Sequence, residues 1–494
     1  MGEPIRDIAI DPTGFEQHGQ VPIFQQLYRR IRDQITAGVL RSGTRLPSTR
    51  ALAADLGLSR TTTIAAFEQL ETEGYIETRK GARARVLPLP SAGGGRNAEP
   101  LPRLQDSLSR RGQALVTLRH ETGFPGSHFL QPGLPDAGSF PFTIWRRLLS
   151  KHMRHTAGET FGYHSYGGHQ GLREVIAQYM QSSRGVKCQP DQIMVTGGAQ
   201  SAFTLLAHLL IDAGDPVMIE EPGYTGAHGA FGAAGARIAP LDVNGRNWNL
   251  NTIAAIRPKL IYLTPSCQFP LGSTMRIEQR LRLLQLAAET GAWVIEDDFD
   301  SEFRFSGNRV PTLQSQDADH RTIYVGSFAK TMLPDLRLGF IIFPGEVVRP
   351  VRKANFLMGT AAPLATQAAL ADFIRNGDFA RHTRRMKRLY AARRALLCGH
   401  AQALFGDVME QLDEGNGLQT TWRFRTPVGD VAIVENALRA GVNVTPLSAH
   451  YIHGAPEHGL MIGYAATEDK QIPRALHKLN QVIRSHLGLG ERLA

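Results

Sequence analysis

One stretch, Leu87-Pro88-Leu89-Pro90-Ser91-Ala92-Gly93-Gly94-Gly95, divides this 494-residue chain into two unequal parts. The prolines fix φ and stiffen its first half, and three consecutive glycines loosen its second. A polar run with Pro100 and Pro102 follows, so residues 88–120 are expected to form a linker. Residues 15–87 hold a short helical block that ends in a basic ribbon. Residues 121–494 alternate helical patterns with β-rich runs at Pro216–Glu220, Leu260–Thr264, Ala292–Glu296, Thr322–Ser327 and Phe340–Phe343. Strands interleaved with helices predict a mainly parallel α/β sheet covered on both faces. The fold class expected is therefore multidomain, with a small α+β head and a large α/β body.

Composition narrows the function classes. No apolar run approaches the roughly 20 residues needed to cross a bilayer. The opening residues carry Glu3, Asp7, Asp11 and Glu16 and lack the apolar core of a signal peptide. A cytoplasmic location with no membrane partner is expected. Cys188, Cys267 and Cys398 are odd in number and far apart, and they show no zinc spacing, so neither a disulfide framework nor a metal site is expected. The net charge of +10 suits a polyanionic partner such as DNA.

In the head, Leu27, Ile31 and Ile35 recur at helical spacing and share one buried stripe. Gly38 and Gly43 break that helix. Ser48 or Thr49 can cap a second helix that turns Leu52, Ala53 and Leu56 inward and stops at Gly57. Leu58-Ser59 then turns into a third helix, from Arg60 to about Glu73, which opens Arg60-Thr61-Thr62. Two short helices joined through glycine match a helix-turn-helix. Arg60 can take a guanine edge bidentately in the major groove, and Thr61 and Thr62 can reach bases or phosphates. After Gly74, Tyr75–Val86 reads as a hairpin with Lys80-Gly81 near its tip and Arg83 beyond it, a wing suited to phosphates or the minor groove.

Residues 22–86 resemble the GntR-type winged helix nearly end to end. The likeness lies in Arg45-Leu46-Pro47-Ser48-Thr49-Arg50, Leu56-Gly57-Leu58-Ser59-Arg60-Thr61-Thr62 and Glu73-Gly74-Tyr75-Ile76. The resemblance implies double-stranded operator DNA as partner. It places Arg50 on phosphates, Arg60, Thr61 and Thr62 in the groove, and Gly81 at the wing tip, with Arg45, Ser48, Ser59, Lys80 and Arg83 as further contacts.

The body offers the parts that an aldehyde cofactor needs: a lysine, an acid, a phosphate cup and a flat platform. Lys330 follows a β-like run in Ser327-Phe328-Ala329-Lys330. A lysine there is partly desolvated, which frees its amine for Schiff-base chemistry. Ser327 and Arg337 can hold a phosphate by hydroxyl and by bidentate fork. Asp297 ends the strand Trp293-Val294-Ile295-Glu296, with Asp298 and Asp300 beside it, so sequence leaves open which acid meets the cofactor ring. Gly198, Ala199 and Gln200 open an apolar helix whose N–H groups can face a phosphate. Tyr224 offers a stacking platform.

That order resembles the fold type I aminotransferases over roughly residues 125–490, and the fusion with the head resembles the MocR subfamily of GntR regulators. Gln131-Pro132-Gly133, Tyr166-Gly167, Gly171-Leu172-Arg173, Glu296-Asp297-Asp298 and Ser327-Phe328-Ala329-Lys330 are the matching phrases. The likeness implies pyridoxal 5'-phosphate attached to Lys330, with Asp297 at the pyridine nitrogen and Tyr224 on the ring face. Gly198, Ala199, Gln200 and Ser327 would hold the phosphate, with Arg337 on the phosphate or an effector. It also implies a head-to-tail homodimer and a small-molecule amine, or the cofactor itself, as effector.

The chain departs from the enzyme pattern at four places. Met461 stands where aminotransferases carry the arginine for the substrate carboxylate, and that anchor is worth roughly 1.5–3 kcal/mol. Gln268-Phe269-Pro270-Leu271-Gly272 lacks the usual asparagine, Phe299 replaces a tyrosine, and Cys267 replaces a histidine common in related regulators. No catalytic residues are therefore assigned. The expectation is a cofactor-dependent regulator of vitamin B6 or amino-compound metabolism, the alternative being an active aminotransferase with an auxiliary head.

Overall fold

The computed structural model describes residues 15–16, 20–79, 81–89, 108–118, 129–154, 167–305, 310–345, 348–413 and 415–490. It separates into two compact units, Met1–Asp106 and Ser107–Ala494.

In the first unit three helices enclose a small core. Helix α1, Ile23–Thr36, buries Leu27, Tyr28, Ile31 and Ile35. The Ser48 side chain caps α2, Thr49–Leu56, by accepting from the Ala51 N–H at 3.1 Å. Gly57, at φ +63°, ends it in the left-handed region that glycine enters without strain. Ser59 caps α3, Arg60–Thr72, in the same way. Strands β1, Ile76–Glu77, and β2, Arg85–Val86, then pair antiparallel as the wing. Glu71 of α3 accepts from the Thr78 N–H at 3.0 Å, which ties the wing to that helix. The expected helix-turn-helix and hairpin are both present.

The second unit begins inside the stretch expected to be linker. Residues Arg110–Thr117 form helix α4, capped by Ser109, and pack against a body helix introduced below. Helices α5, Phe142–Arg154, and α6, Gln170–Arg184, precede the main sheet. That sheet contains β3 (Ile193–Thr196), β4 (Pro216–Glu221), β5 (Arg237–Asn244), β6 (Asn247–Trp248), β7 (Leu260–Leu263), β8 (Trp293–Asp298), β9 (Thr322–Ser327) and β10 (Gly339–Ile342). Their spatial order is β3-β10-β9-β8-β7-β4-β5-β6. The central pairs from β5 to β9 are parallel, and β10 runs antiparallel to both of its neighbours. Both faces are buried. Val217, Ile219 and Ile295 pack into one apolar cluster, while the alternate residues Met218 and Val294 pack into another on the opposite face. Helices α7, Ala199–Leu210, and α8, Thr225–Ala233, follow β3 and β4; α8 is the helix that α4 packs on.

A second, antiparallel sheet is formed by β11 (Met409–Gln411), β12 (Gln419–Phe424), β13 (Thr445–Pro446) and β14 (Gly459–Gly463), in the order β11-β12-β14-β13. Helices Asp378–Phe405, Asp430–Arg439 and Ile472–Leu487 bury its inner face around Trp422 and Tyr464. Among the described residues, no helix is long and apolar enough to cross a membrane.

Candidate cofactor site and nucleic-acid interface

A cavity of about 230 Å³ opens at the carboxyl ends of the parallel strands, where α/β sheets commonly place ligands. Asp297 from the end of β8, Ser327 at the end of β9, Lys330 just beyond it, and Tyr224 following β4 all line it. Gly198, Ala199 and Gln200, at the start of α7, line it as well, with Arg337 from the loop before β10. The eight residues expected from sequence therefore meet in one place.

Strand alternation separates two of the three acids left open above. The Tyr262 hydroxyl donates to Asp297 Oδ2 at 2.7 Å, and Asp297 Oδ1 is buried with no hydrogen-bond partner among the described residues. Asp298 points to the opposite face, where it accepts from Arg184 Nη2 and from the Tyr324 hydroxyl, each at 2.6 Å. Asp298 is occupied and Asp297 is available. Burial pushes the Asp297 carboxyl up to about 7, against the lowering effect of the Tyr262 bond. A cation at Oδ1, such as a protonated pyridine nitrogen, would relieve that penalty.

Lys330 is half-buried, and its Nζ donates to the Gly133 carbonyl at 2.7 Å. Gly133 has φ +69°, and a Cβ there would lie 2.7 Å from Nζ, so the close approach requires glycine. Gly198 caps α7 at φ +94°, and the first-turn N–H groups after it have no intrahelical partner, which makes an anion cup. Gln200 Nε2 donates to the Gly226 carbonyl at 2.9 Å and ties that cup to the Tyr224 loop. The Tyr224 ring meets Phe269 edge-on at 5.6 Å, and Phe269 meets Phe299 at 5.8 Å. The Ser327 hydroxyl accepts from the Ala329 N–H at 3.2 Å, and Arg337 is exposed at φ +48°. An orphaned acid, a lysine, an aromatic wall and an anion cup together fit pyridoxal phosphate.

The cavity also contains residues that the sequence reading did not assign. Tyr262 and Thr264 come from β7 and its end, and Gln419 opens β12 of the second sheet. Asp300 is buried, and its carboxyl is pushed up to about 7 by desolvation. The run Asp297-Asp298-Phe299-Asp300 was a signal for it, whereas nothing local marks Gln419. The departures from the enzyme pattern also have places. Phe269 and Phe299 line the cavity, whereas Met461 is fully buried on β14 and does not. Gln268 is tied down by donating to the Pro222 carbonyl at 2.8 Å. Cys267 lies beside the cavity in a much smaller one with Arg184 and Asp300, and burial pushes its thiol well up.

In the head, Arg45, Arg50, Arg60, Thr61, Gly81 and Arg83 are exposed. Ser48 and Ser59 spend a lone pair on capping, and the Ser59 and Thr62 hydroxyls share a 2.7 Å bond. Gly81 turns the wing at φ +80°. Lys80 falls outside the described residues.

Comparison with known proteins agrees with both units. Residues 23–86 match the family of bacterial regulatory proteins of the gntR type, and residues 135–479 match aminotransferase class I and II. A probable rhizopine catabolism regulatory protein, MocR, of Rhizobium meliloti is 41% identical over 94% of this chain and 94% of its own. The chain belongs to the MocR subfamily of GntR regulators. Other relatives include the pyridoxine biosynthesis regulator PdxR of Corynebacterium glutamicum, 28% identical over 96% of this chain and 98% of its own. The body of this MocR-type chain matches the solved multiple substrate aminotransferase of Thermococcus profundus with a TM-score of 0.70. That match is 21% identical and covers 78% of this chain and all of the other, which shows the fold.

Proposed function

We propose that this MocR-type protein is a transcription regulator whose hold on operator DNA depends on pyridoxal phosphate at Lys330, or on an amine that reacts with it there. It would serve vitamin B6 or amino-compound metabolism. One observation carries the reading: the chain that holds a helix-turn-helix with an exposed Arg60 also holds a cavity uniting Lys330 with the orphaned Asp297.

When bound, the cofactor supplies an aldehyde that joins amines covalently and a ring that withdraws electrons. The chain's own residues hold and orient it. Asp297, steadied by Tyr262, would hold the ring nitrogen at Oδ1. The amides at Gly198, Ala199 and Gln200, with Ser327 and Arg337, would hold the phosphate. Tyr224 would cover the ring, and Lys330, steered by Gly133, would present its amine. An amine effector that took the place of Lys330 would change what the lysine touches. Such a ligand alters DNA affinity only if it binds the two states of the protein unequally. A homodimer would set two heads on paired half-sites.

The buried Met461 supports regulation over turnover, because it gives an α-carboxylate no fork. Gel shifts with and without pyridoxal phosphate test the proposal. Operator affinity should respond to the cofactor in the native protein and not in Lys330→Ala. Repeated keto-acid release from added amino acids would instead establish an active aminotransferase.

A further inference from the structure

The chain's net charge of +10 is concentrated. Helix α5 holds four cations and no acid, and the long helix Asp378–Phe405 holds seven cations against one acid. These two helices account for the whole excess, and the rest of the chain is neutral in sum.

Some of those cations have structural partners. Arg393 pairs with Asp136 and Asp469, Arg394 with Asp413, and Arg381 with Asp378. Arg146, Arg147, Arg384, Arg385 and Arg388 are exposed and have no ion-pair partner among the described residues. Arg384, Arg385 and Arg388 share one face of the long helix. On α5, Arg146 and Arg147 face out while Trp145 and Leu148 are buried. On the long helix, Arg384, Arg385 and Arg388 alternate with the buried Thr383, Met386 and Tyr390. The long helix comes close to the segment just before α5. Arg385 Nη2 donates to the carbonyl of Ser139, just before α5, and the Phe140 ring meets His382 at 5.6 Å and Trp145 at 6.1 Å.

An ordinary solvated face interleaves both signs of charge. Like charges at i, i+3 and i+4 repel and weaken a helix, so a single-sign stripe is a cost unless a polyanion meets it. We propose that this arginine face of the body binds the sugar-phosphate backbone of duplex DNA, as a second, sequence-independent contact beyond that of the head. Duplex DNA is the polyanion that a GntR-type head already brings to the chain, so the choice of partner rests on the functional reading above.

Salt titration of the full, cofactor-loaded chain on random-sequence duplexes tests this. Each phosphate neutralised contributes about 0.9 to the slope of log K against log salt. The quadruple variant Arg147→Ala, Arg384→Ala, Arg385→Ala, Arg388→Ala should lose about 3 to 4 from that slope. Replacing the same four by lysine, which keeps the charge, should restore it. An unchanged unfolding midpoint and cofactor absorbance would show that the alanine variant is intact, and the lysine variant decides the matter if it is not. A slope equal to that of the native protein in the alanine variant overturns the proposal. So does loss of binding to phosphatidylserine vesicles with the DNA slope unchanged. Arg60→Ala separates the two readings: if the head makes no DNA contact, that variant keeps the native slope, while the quadruple variant still loses its share.

Discussion

Tyr262 and Asp297 lie on the adjacent parallel strands β7 and β8, and the tyrosine hydroxyl donates to Asp297 Oδ2 at 2.7 Å. The bond orients the carboxyl and leaves Oδ1 without a partner among the described residues, where the proposed function places the cofactor. Tyr262→Phe removes a hydrogen bond to a charged acceptor, worth about 1.5–3 kcal/mol. Pyridoxal phosphate affinity should fall roughly tenfold to a hundredfold, as read by absorbance titration. Asp297→Ala should lose more, because both the orienting bond and its acceptor disappear.

Burial at Asp297 has a pH signature. A carboxyl held at about 7 in the folded protein keeps its proton more readily there than when unfolded. Its stabilising share is therefore present below the ordinary carboxylate range and is lost as pH rises toward 7. The slope is at most about 1.4 kcal/mol per pH unit. Cofactor-free protein should thus show a steeper loss of thermal stability between about pH 4 and pH 7 than Asp297→Asn does. Buried His228 and His382, both lowered to about 4, act with the opposite sign up to their ordinary range, and they cancel in that comparison. Identical slopes for the two proteins would refute the burial argument.

Five strands of the main sheet were legible because each is a short, continuous β-rich run; the expected Thr322–Ser327 matches β9 residue for residue. The cap of α2 was legible as Ser48 or Thr49 because both stand just before the inward-turned Leu52, Ala53 and Leu56. The choice between Asp297 and Asp298 was not, since alternation assigns faces only once neighbours such as Tyr262 and Arg184 are placed. Gln419 was invisible for a related reason, because β12 belongs to a different sheet and only tertiary packing brings it to the cavity. Helix α4 was masked by its polar composition, although Leu115 and the Leu118 that follows the helix lie near Gly229 of α8.

Arg184 and Asp298 form a buried ion pair at 2.6 Å behind the cavity. Arg184→Ala would leave a buried carboxylate with only the Tyr324 hydroxyl and should cost about 3–5 kcal/mol. Urea unfolding of the cofactor-free body measures this. Arg184→Met with Asp298→Leu should recover much of the loss, since breaking one partner costs more than replacing both.

Ser59→Ala removes the cap of α3 and should destabilise the head by about 1 kcal/mol. Because Met1–Asp106 is a separate unit, the cofactor absorbance should not change. Weaker DNA binding together with unaltered cofactor affinity is the expected pattern in paired gel-shift and absorbance titrations.

Gly133→Ala tests the positioning of Lys330 without touching the lysine. A non-glycine residue at φ +69° costs roughly 1–2 kcal/mol, and the new methyl would stand 2.7 Å from Nζ. Lys330 must then leave the Gly133 carbonyl. Cofactor attachment should slow and weaken, while the unfolding midpoint drops only by the backbone cost. Lys330→Ala abolishes attachment outright, so the two variants separate orientation from chemistry. If Gly133→Ala attached the cofactor at the native rate, the Lys330–Gly133 contact would be incidental to function.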